Sequence, residues 1–130
     1  MYNIKYRCYV KPSKYVSVGY LAKVHSVHCG TKKVIITNPY GGNVSIKYIE
    51  VILERFTGIK DKNGREIYEG DIVATKYGRK CEVVWFSTAC HNGWDLTPLE
   101  VTLTAPDSYD LFDSRNLEVV GNIHGVYFNG

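Results

Sequence analysis

The stretch FTGIKDKNGREIYEGDIV, residues 56–73, decides the fold because turn residues separate its apolar positions. Asn63-Gly64 supplies the two positive-φ positions of a type I′ turn, so it predicts a tight β-hairpin. Glu69-Gly70 predicts a second tight bend. The glycines of the stretch relieve turns, and its apolar residues face a core. The core-facing positions are Ile59, Ile67, Tyr68, Ile72 and Val73.

Alternation of apolar and polar residues extends towards the N-terminus. The first ten residues alternate with period two, which indicates a half-buried strand. Lys11-Pro12 breaks the pattern and predicts a turn, after which the alternation starts again. The apolar faces of these two predicted strands carry Tyr2, Ile4, Tyr6, Cys8 and Val10, followed by Val16, Val18, Tyr20, Ala22 and Val24.

Residues 44–56 fit two patterns. Val44, Ile46 and Tyr48 alternate as a strand does, whereas the apolar residues after Tyr48 follow helical spacing. The β-branched content favours a strand with a bend near Glu50. A short helix is the alternative.

Short strands separated by turns recur about every ten residues, a rhythm typical of barrels and sandwiches. We therefore predict an all-β or β-rich α+β fold, in which an SH3-like barrel packs against an N-terminal β meander. The meander is predicted to cover residues 1–56 and the barrel region residues 57–130, together as one compact unit. The predicted core includes Ile4, Tyr6, Val18, Ile35, Ile59, Ile67, Ile72, Val83, Trp85, Val119 and Ile123.

The composition predicts a soluble globular chain. Its 130 residues are 45% hydrophobic, which suffices for a packed core. The sequence has no run of roughly 18 apolar residues and its first residues lack the apolar stretch of a secretory signal. We therefore predict a cytoplasmic protein with no membrane partner. In that compartment the four cysteines are expected to be reduced.

Charge is unevenly distributed along the chain. Residues 1–65 contain twelve Lys and Arg but three Asp and Glu, a net charge of +9, whereas residues 66–130 carry −6. No acidic residue precedes Glu50. An asymmetry of this size bears on partners rather than on fold. Because two copies of such a chain are complementary, we also predict a homo-oligomer.

Lysines and tyrosines interleave in the basic half. Cations neutralise phosphates and aromatic rings stack on bases, so the pattern predicts binding of nucleic acid or another anion. The alternative is that the tyrosines are core residues and the lysines keep edge strands soluble. The candidate anion-binding residues are Lys5, Arg7, Tyr9, Lys11, Lys14, Tyr15, Lys23, Lys32, Lys33, Tyr40, Lys47, Arg79 and Lys80.

The acidic half offers a second candidate surface. Inhibitors of nucleic-acid-handling systems often imitate DNA with acidic side chains, so a host protein is the partner expected for this surface. A solvated loop is the plainer interpretation of the acidic residues between 105 and 116. The candidate acidic contact residues are Glu100, Asp107, Asp110, Asp113 and Glu118.

The sequence contains no recognisable catalytic or metal-binding pattern. His25, His28 and Cys29 lie close together but lack the ligand spacing of a zinc finger. Cys90 and His91 are adjacent, and adjacent residues of an extended chain point apart, so they form no ready dyad. We therefore predict a protein that is not an enzyme and that uses no metal or cofactor.

Three segments carry a resemblance to a known family. Residues 56–73 resemble the signature of the YopX family, Glu118-Val119-Val120-Gly121-Asn122-Ile123 resembles its second motif, and Ile4-Lys5-Tyr6-Arg7 is similar to its opening strand. The resemblance implies a protein encoded by phages and prophages of bacteria, in a family that forms oligomers and has no assigned activity. It brings no catalytic residues. The chain departs from the family pattern in its purely basic N-terminal region and in its closing residues 124–128.

These observations predict a phage or prophage accessory protein that binds a partner inside the bacterial host cell. The concrete form is counter-defence, as in an anti-CRISPR-type inhibitor that acts on a host protein or ribonucleoprotein. The first alternative is a nucleic-acid or nucleotide binding module with no host-protein target. The second is a structural, oligomeric phage protein.

Overall fold

The computed structural model describes residues 5–14, 16–37, 41–76, 78–87, 92–99 and 116–125. Within these ranges almost all regular structure is β, so the predicted β-rich class is confirmed. The strands are β1 (Tyr6–Val10), β2 (Tyr20–His28), β3 (Lys33–Thr37), β4 (Asn43–Lys47), β5 (Val51–Lys60), β6 (Glu66–Tyr68), β7 (Asp71–Ala74), β8 (Lys80–Ser87), β9 (Asn92–Pro98) and β10 (Glu118–Asn122). No helix in these ranges has the length and apolar character needed to cross a membrane.

The segment with two competing patterns, residues 44–56, combines strands with one helical turn. β4 ends at Lys47, a 3-10 turn covers Tyr48–Glu50, and β5 begins at Val51. The predicted strand with a bend near Glu50 is therefore confirmed. The helical alternative reduces to this single turn, none of whose three residues is fully buried.

The chain divides into two compact units. In the N-terminal unit, described over residues 5–55, strands β1 to β4 pair consecutively and antiparallel, and the first half of β5 pairs with the other edge of β1. Side chains from one face of this sheet bury one another, as period-two alternation requires. The buried core of the unit consists of Cys8, Val10, Ala22, Val34, Ile36 and Val51.

A buried ion pair lies on the opposite face of β1. Arg7 and Glu54 are direct partners in the β1–β5 register, and Arg7 Nε donates to Glu54 Oε1 at 2.9 Å. Both side chains are almost fully buried, at 2% and 3% exposed. Each charge stabilises the other in the interior, because a buried charge whose partner is removed is very costly in free energy. Arg7 is therefore part of the scaffold.

The C-terminal unit, Phe56–Gly125, begins within β5. The second half of β5 pairs with β6 around a register shift near Gly58, and the four later strands form a sheet in the order β10-β7-β8-β9. Over the described residues this sheet is open, so the SH3-like barrel stays a prediction. The buried core of the unit consists of Ile67, Val73, Cys81, Val83, Leu96, Leu117 and Val119.

The hairpin between β5 and β6 is closed by the Asp61 loop, which we define as residues 61–65. Asn63 does not take a positive φ, so the predicted type I′ turn is wrong. Instead Gly64 N–H donates to the Asp61 carbonyl at 3.0 Å, and Gly64 (φ 81°) then allows Asp61 N–H to reach the Arg65 carbonyl at 2.8 Å. This is a type I turn followed by a left-handed glycine, the three-residue hairpin connection. The hairpin itself is as the dipeptide predicted.

The Asp61 side chain explains why the type I turn forms instead of the predicted type I′ turn. Its Oδ1 accepts the N–H groups of Asn63 and Arg65, both at 2.9 Å, and its Oδ2 accepts the N–H of Val119 in β10 at 2.9 Å. The residue is 6% exposed. One carboxylate thus shapes the loop and also joins it to a strand far away in sequence.

The hairpin between β7 and β8 uses the same backbone device in what we call the Thr75 loop, residues 75–79. Gly78 N–H donates to the Thr75 carbonyl, Thr75 N–H donates to the Arg79 carbonyl, and Thr75 Oγ1 accepts from Arg79 N–H at 3.3 Å. A second buried carboxylate, Asp71, accepts the N–H of Tyr68 at 2.8 Å. Polar side chains in this unit therefore serve mainly to complete backbone hydrogen bonds.

The predicted core is correct where strands were correctly bounded. Ile67, Val83 and Val119 are buried, whereas Val18 and Ile123 are exposed because they lie just outside β2 and β10. Trp85 was also wrongly predicted to be buried and is 38% exposed. The remaining predicted members are half-buried (Tyr6, Ile35, Ile59 and Ile72) or, for Ile4, outside the described residues.

Candidate functional site

A surface groove of about 490 Å³ lies at one end of the N-terminal sheet. We call it the lysine groove, and its lining residues are Thr31, Lys32, Lys33, Lys47, Tyr48 and Ile49. Three of these six residues are lysines and none is acidic. The groove is formed where the turn between β2 and β3 meets the 3-10 turn after β4, so its two sides come from separate segments of the chain.

Two hydrogen bonds hold these segments together. Tyr48 N–H donates to the Lys32 carbonyl at 2.9 Å, and Tyr48 Oη donates to Cys29 Sγ at 3.6 Å. The bond to Cys29, with a smaller effect of burial, raises the pKa of Tyr48. The Tyr48 ring also packs against the core of the unit, which fixes the floor of the groove.

Lys32 adopts a left-handed backbone conformation, with φ 55°. It is the only residue other than glycine with positive φ among the described ranges. A side chain there costs roughly 1 kcal/mol relative to glycine. Lys32 thus adopts a backbone conformation that glycine would adopt more easily.

Lys33 and Lys47 are direct partners across β3 and β4. His28 is the direct partner of Lys33 on the other side, so the three side chains form one row on one face of the sheet. Like charges directly opposite each other destabilise a sheet. The row therefore concentrates positive charge at an energetic cost to the fold.

A β-bulge in β2 determines which of its side chains lie on the same face as this row. The register of β2 against β3 shifts between Val24 and Ser26, so residues on either side of the bulge keep their apolar side chains on the core face. Val27 then lies opposite the fully buried Val34, and His28 lies on the other face opposite Lys33. Ser26 Oγ, 2.9 Å from His28 Nε2, holds the imidazole in place.

The apolar rim of the groove is Ile49, which is 79% exposed. Its backbone carbonyl accepts a hydrogen bond from Lys11 Nζ at 3.2 Å, and Lys11 N–H donates to the Glu50 carbonyl at 2.9 Å. A fourth lysine is thereby fixed beside the groove. Glu50, the nearest acid in sequence, is half-buried and follows the rim without lining the groove.

The predicted anion-binding residues are only partly brought together. Lys32, Lys33 and Lys47 line the groove and Lys11 adjoins it, whereas the other exposed lysines lie elsewhere on their units. Those other lysines are Lys5, Lys14, Lys23 and Lys80, and Arg79 is half-buried. Tyr15 and Tyr40 lie outside the described residues.

Of the two β1 residues predicted as surface contacts, Arg7 requires correction. Arg7 is 1% exposed and paired with Glu54, so it has no surface on which to meet a ligand. Tyr9 is half-buried, and a Cβ atom at Gly19 would overlap its ring. The polar face of β1 is thus covered as well as its apolar face, which alternation alone does not reveal.

The predicted acidic contact face lies mostly outside the described residues, which exclude Glu100, Asp107, Asp110 and Asp113. Glu118 is half-buried, and its Oε2 lies 3.6 Å from Lys62 Nζ. Its other oxygen accepts a hydrogen bond from Asn63 Nδ2 at 3.5 Å. Glu118 therefore belongs to the surroundings of the Asp61 loop.

Within the described ranges, His, Cys, Asp and Glu residues nowhere form a group of three that could hold a metal ion. Cys8 and Cys81 are buried, and Cys29 is exposed. Burial, with a smaller effect of the Glu54 charge, raises the pKa of Cys8 to about 12.

A family model described as YopX protein matches residues 5–125, nearly the whole chain. The chain belongs to the YopX family. No curated protein matches it. The matched range contains both the Asp61 loop, which lies within residues 56–73, the stretch that resembles the family signature, and the lysine groove, which lies outside that stretch.

The sequence pointed to the lysines of the groove but missed its apolar part. Tyr48 and Ile49 were assigned to a strand or helix face, because hydrophobic spacing cannot distinguish a buried residue from an exposed one at a turn. Thr31 and Cys29 gave no signal.

Proposed function

We propose that this YopX-family chain is a non-enzymatic binding protein that holds nucleic acid at the lysine groove. The observation that carries the proposal is that Lys32, Lys33 and Lys47 line one groove whose described lining residues include no acid. Lysines arranged in this way neutralise phosphates and release the counterions bound to them.

The energetic cost of the groove supports a role in binding. Lys32 occupies a backbone conformation that glycine adopts more easily, and Lys33 and Lys47 repel each other across the sheet. Features that lower stability without an evident structural gain are expected at functional sites. An anionic ligand removes the repulsion, so the cost is recovered when the ligand binds.

The biological role that we propose for this binding is counter-defence in the bacterial cytoplasm. Family membership fits a phage-type protein, and an anti-CRISPR-type inhibitor that occupies the guide or target nucleic acid of a host system would use such a groove. The basic surface is favoured over the acidic one, because Glu118, the one described acid of that face, already contacts Lys62 and Asn63. Homo-oligomer formation remains part of the proposal.

The binding proposal is tested by fluorescence anisotropy with labelled oligonucleotides over a series of salt concentrations. Three phosphate contacts predict a slope of log K against log salt of roughly −2 for a single strand. The variant Lys32→Ala/Lys33→Ala/Lys47→Ala should lose most of the affinity and of the slope. A matched control, Lys60→Ala/Lys62→Ala/Lys76→Ala, removes the same charge from exposed lysines of the C-terminal unit.

Equal losses in the two variants would show that net charge alone causes the binding and would overturn the assignment of the groove. Absence of any binding at low salt would overturn the proposed function itself.

The counter-defence role needs a separate measurement. The pure protein is added to reconstituted CRISPR effector and restriction nuclease reactions, and cleavage of target DNA is followed. Inhibition that disappears in the triple groove variant and persists in the matched control is the expected result. Undiminished cleavage across several such systems, despite measurable nucleic-acid binding, would favour the plain binding module.

A further inference from the structure

We infer that the lysine groove takes single-stranded nucleic acid, with one unstacked base on the surface formed by Tyr48 and Ile49. This inference rests on the proposed function and names the class of nucleic acid. It follows from the combination of charge with exposed apolar surface in the same six residues.

Ile49 is the most exposed of the large hydrophobic side chains in the described ranges, at 79%. It adjoins Tyr48, whose ring is half-buried against the core and whose backbone is fixed to Lys32. When an apolar ligand covers an exposed aliphatic side chain beside a rigid aromatic one, the burial of apolar surface lowers the free energy of the complex.

A duplex offers no base face to this surface. In double-stranded DNA and RNA the faces of the bases are stacked, and a protein meets phosphates, sugars and base edges. In a single strand the base faces are available and stack on side chains, while the backbone follows a positively charged groove. The lysines of the groove match the backbone, and Tyr48 with Ile49 matches the base.

The size of the groove fits the same ligand. Its volume of about 490 Å³ lies within the range of roughly 300 to 1,000 Å³ found for small-molecule sites. A groove of this size accommodates about one nucleotide, so the contact is local and neighbouring phosphates reach Lys33 and Lys47 along the row.

The test compares three probes of equal phosphate charge with wild-type protein and two variants. The probes are a single-stranded DNA, the same backbone without bases, and a duplex with an equal number of phosphates. The variants are Ile49→Ser, which changes an exposed side chain, and Val18→Ser, a matched control at a residue 71% exposed outside the groove.

The expected result is that wild-type protein binds the single strand about ten-fold more tightly than the abasic backbone, as one stacked base implies. Ile49→Ser should reduce affinity for the single strand about five-fold. It should leave the abasic probe, the duplex and the salt slope unchanged, because an apolar contact releases no counterions. Val18→Ser should change nothing.

Equal affinity for all three probes, with the loss in the triple lysine variant still present, would overturn this inference and leave the proposed function intact. Tighter binding of the duplex than of the single strand would do the same. If none of the probes binds, the proposed function fails first.

Discussion

Charged side chains point outward at the lysine groove of the N-terminal unit and inward at the Asp61 loop of the C-terminal unit. Asp61 is buried and accepts three backbone N–H groups. Lys33 and Lys47 are exposed and face each other with like charge. The first arrangement stabilises the chain, and the second destabilises it.

The contrast separates the part of the chain that builds the scaffold from the part that is available to a ligand. The Asp61 loop lies in the signature stretch with which this chain resembles its family, and both carboxylate oxygens of Asp61 accept hydrogen bonds within the protein. The groove lies outside that stretch and leaves its charges to solvent. Substitutions in the two regions should therefore have opposite effects on folding and binding.

The largest expected effect concerns the exception to this division, the buried basic residue Arg7 of the N-terminal unit. Arg7→Ala removes the cation that faces the buried Glu54 carboxylate and should lower the free energy of unfolding by about 3–5 kcal/mol. Arg7→Met/Glu54→Leu removes both charges and should fold within about 1 kcal/mol of wild type. Urea denaturation followed by circular dichroism measures both. An Arg7→Ala protein as stable as wild type would contradict the burial of the Arg7–Glu54 ion pair.

The next effect concerns Asp61. Asp61→Ala removes the acceptor of two part-buried N–H groups in the loop and of the buried N–H of Val119, so the free energy of unfolding should fall by about 3 kcal/mol. Asp61→Asn keeps one oxygen and should cost about half as much. Asp95→Ala is the matched control, because Asp95 is exposed and accepts the N–H of the next residue. Thermal unfolding of the three variants in parallel ranks them.

A smaller effect with the opposite sign is expected in the groove. Lys47→Glu places an acid opposite Lys33 and should raise the free energy of unfolding by about 0.5–1 kcal/mol. The same change should lower the affinity for nucleic acid at least about ten-fold, because one attraction becomes a repulsion.

Chemical denaturation and anisotropy on one preparation of Lys47→Glu show both changes. Ser45→Glu, on the same face of the exposed strand β4 but not opposite a lysine, is the control. A loss of stability in Lys47→Glu would contradict the destabilising role given to the lysine row.

The smallest effect concerns the thiols. Burial raises the pKa of Cys8 to about 12 and also raises that of Cys81, so neither ionises readily in the folded chain. In a Cys90→Ser background, Ellman's reagent should modify the exposed Cys29 rapidly and the two buried thiols only on unfolding. Fast modification of three thiols would show that the cores are open.

The same pKa shift predicts a pH dependence of stability. The folded pKa of Cys8 lies above its ordinary value of 9.0, so the stabilising contribution is complete below pH 9 and is lost as the pH rises towards 12. Wild type should therefore lose stability over this interval more steeply than Cys8→Ser, whose hydroxyl does not ionise.

Sequence pattern predicted the elements of the fold better than it predicted their surroundings. Local turn chemistry located the hairpins, and alternation located β1 and most of β2. The turn type at Asn63-Gly64 was wrong because Asp61 offers the loop a competing set of hydrogen bonds. The burial of Arg7 depends on a partner 47 residues away, which no local pattern encodes.

The candidate site was predictable only as an excess of lysine in one half of the chain. Which lysines meet depends on the register of β3 with β4 and on the bulge in β2, and both are set by tertiary packing. The exposure of Ile49 depends on the 3-10 turn, where strand and helix patterns overlap. These three features place Lys32, Lys33 and Lys47 around one groove.

The Asp61 and Thr75 loops share the same two backbone hydrogen bonds. The sequence of the Asp61 loop should therefore be able to replace that of the Thr75 loop, whereas the reverse exchange should destabilise the protein. Their sequences, DKNGR and TKYGR, differ at the first and third positions. Transplanting DKNGR into positions 75–79 should be tolerated, since aspartate supplies the same acceptor as threonine. The reverse graft deprives Val119 of its acceptor. The hairpin at residues 75–79 is thus the natural place to insert a foreign peptide or label in this protein.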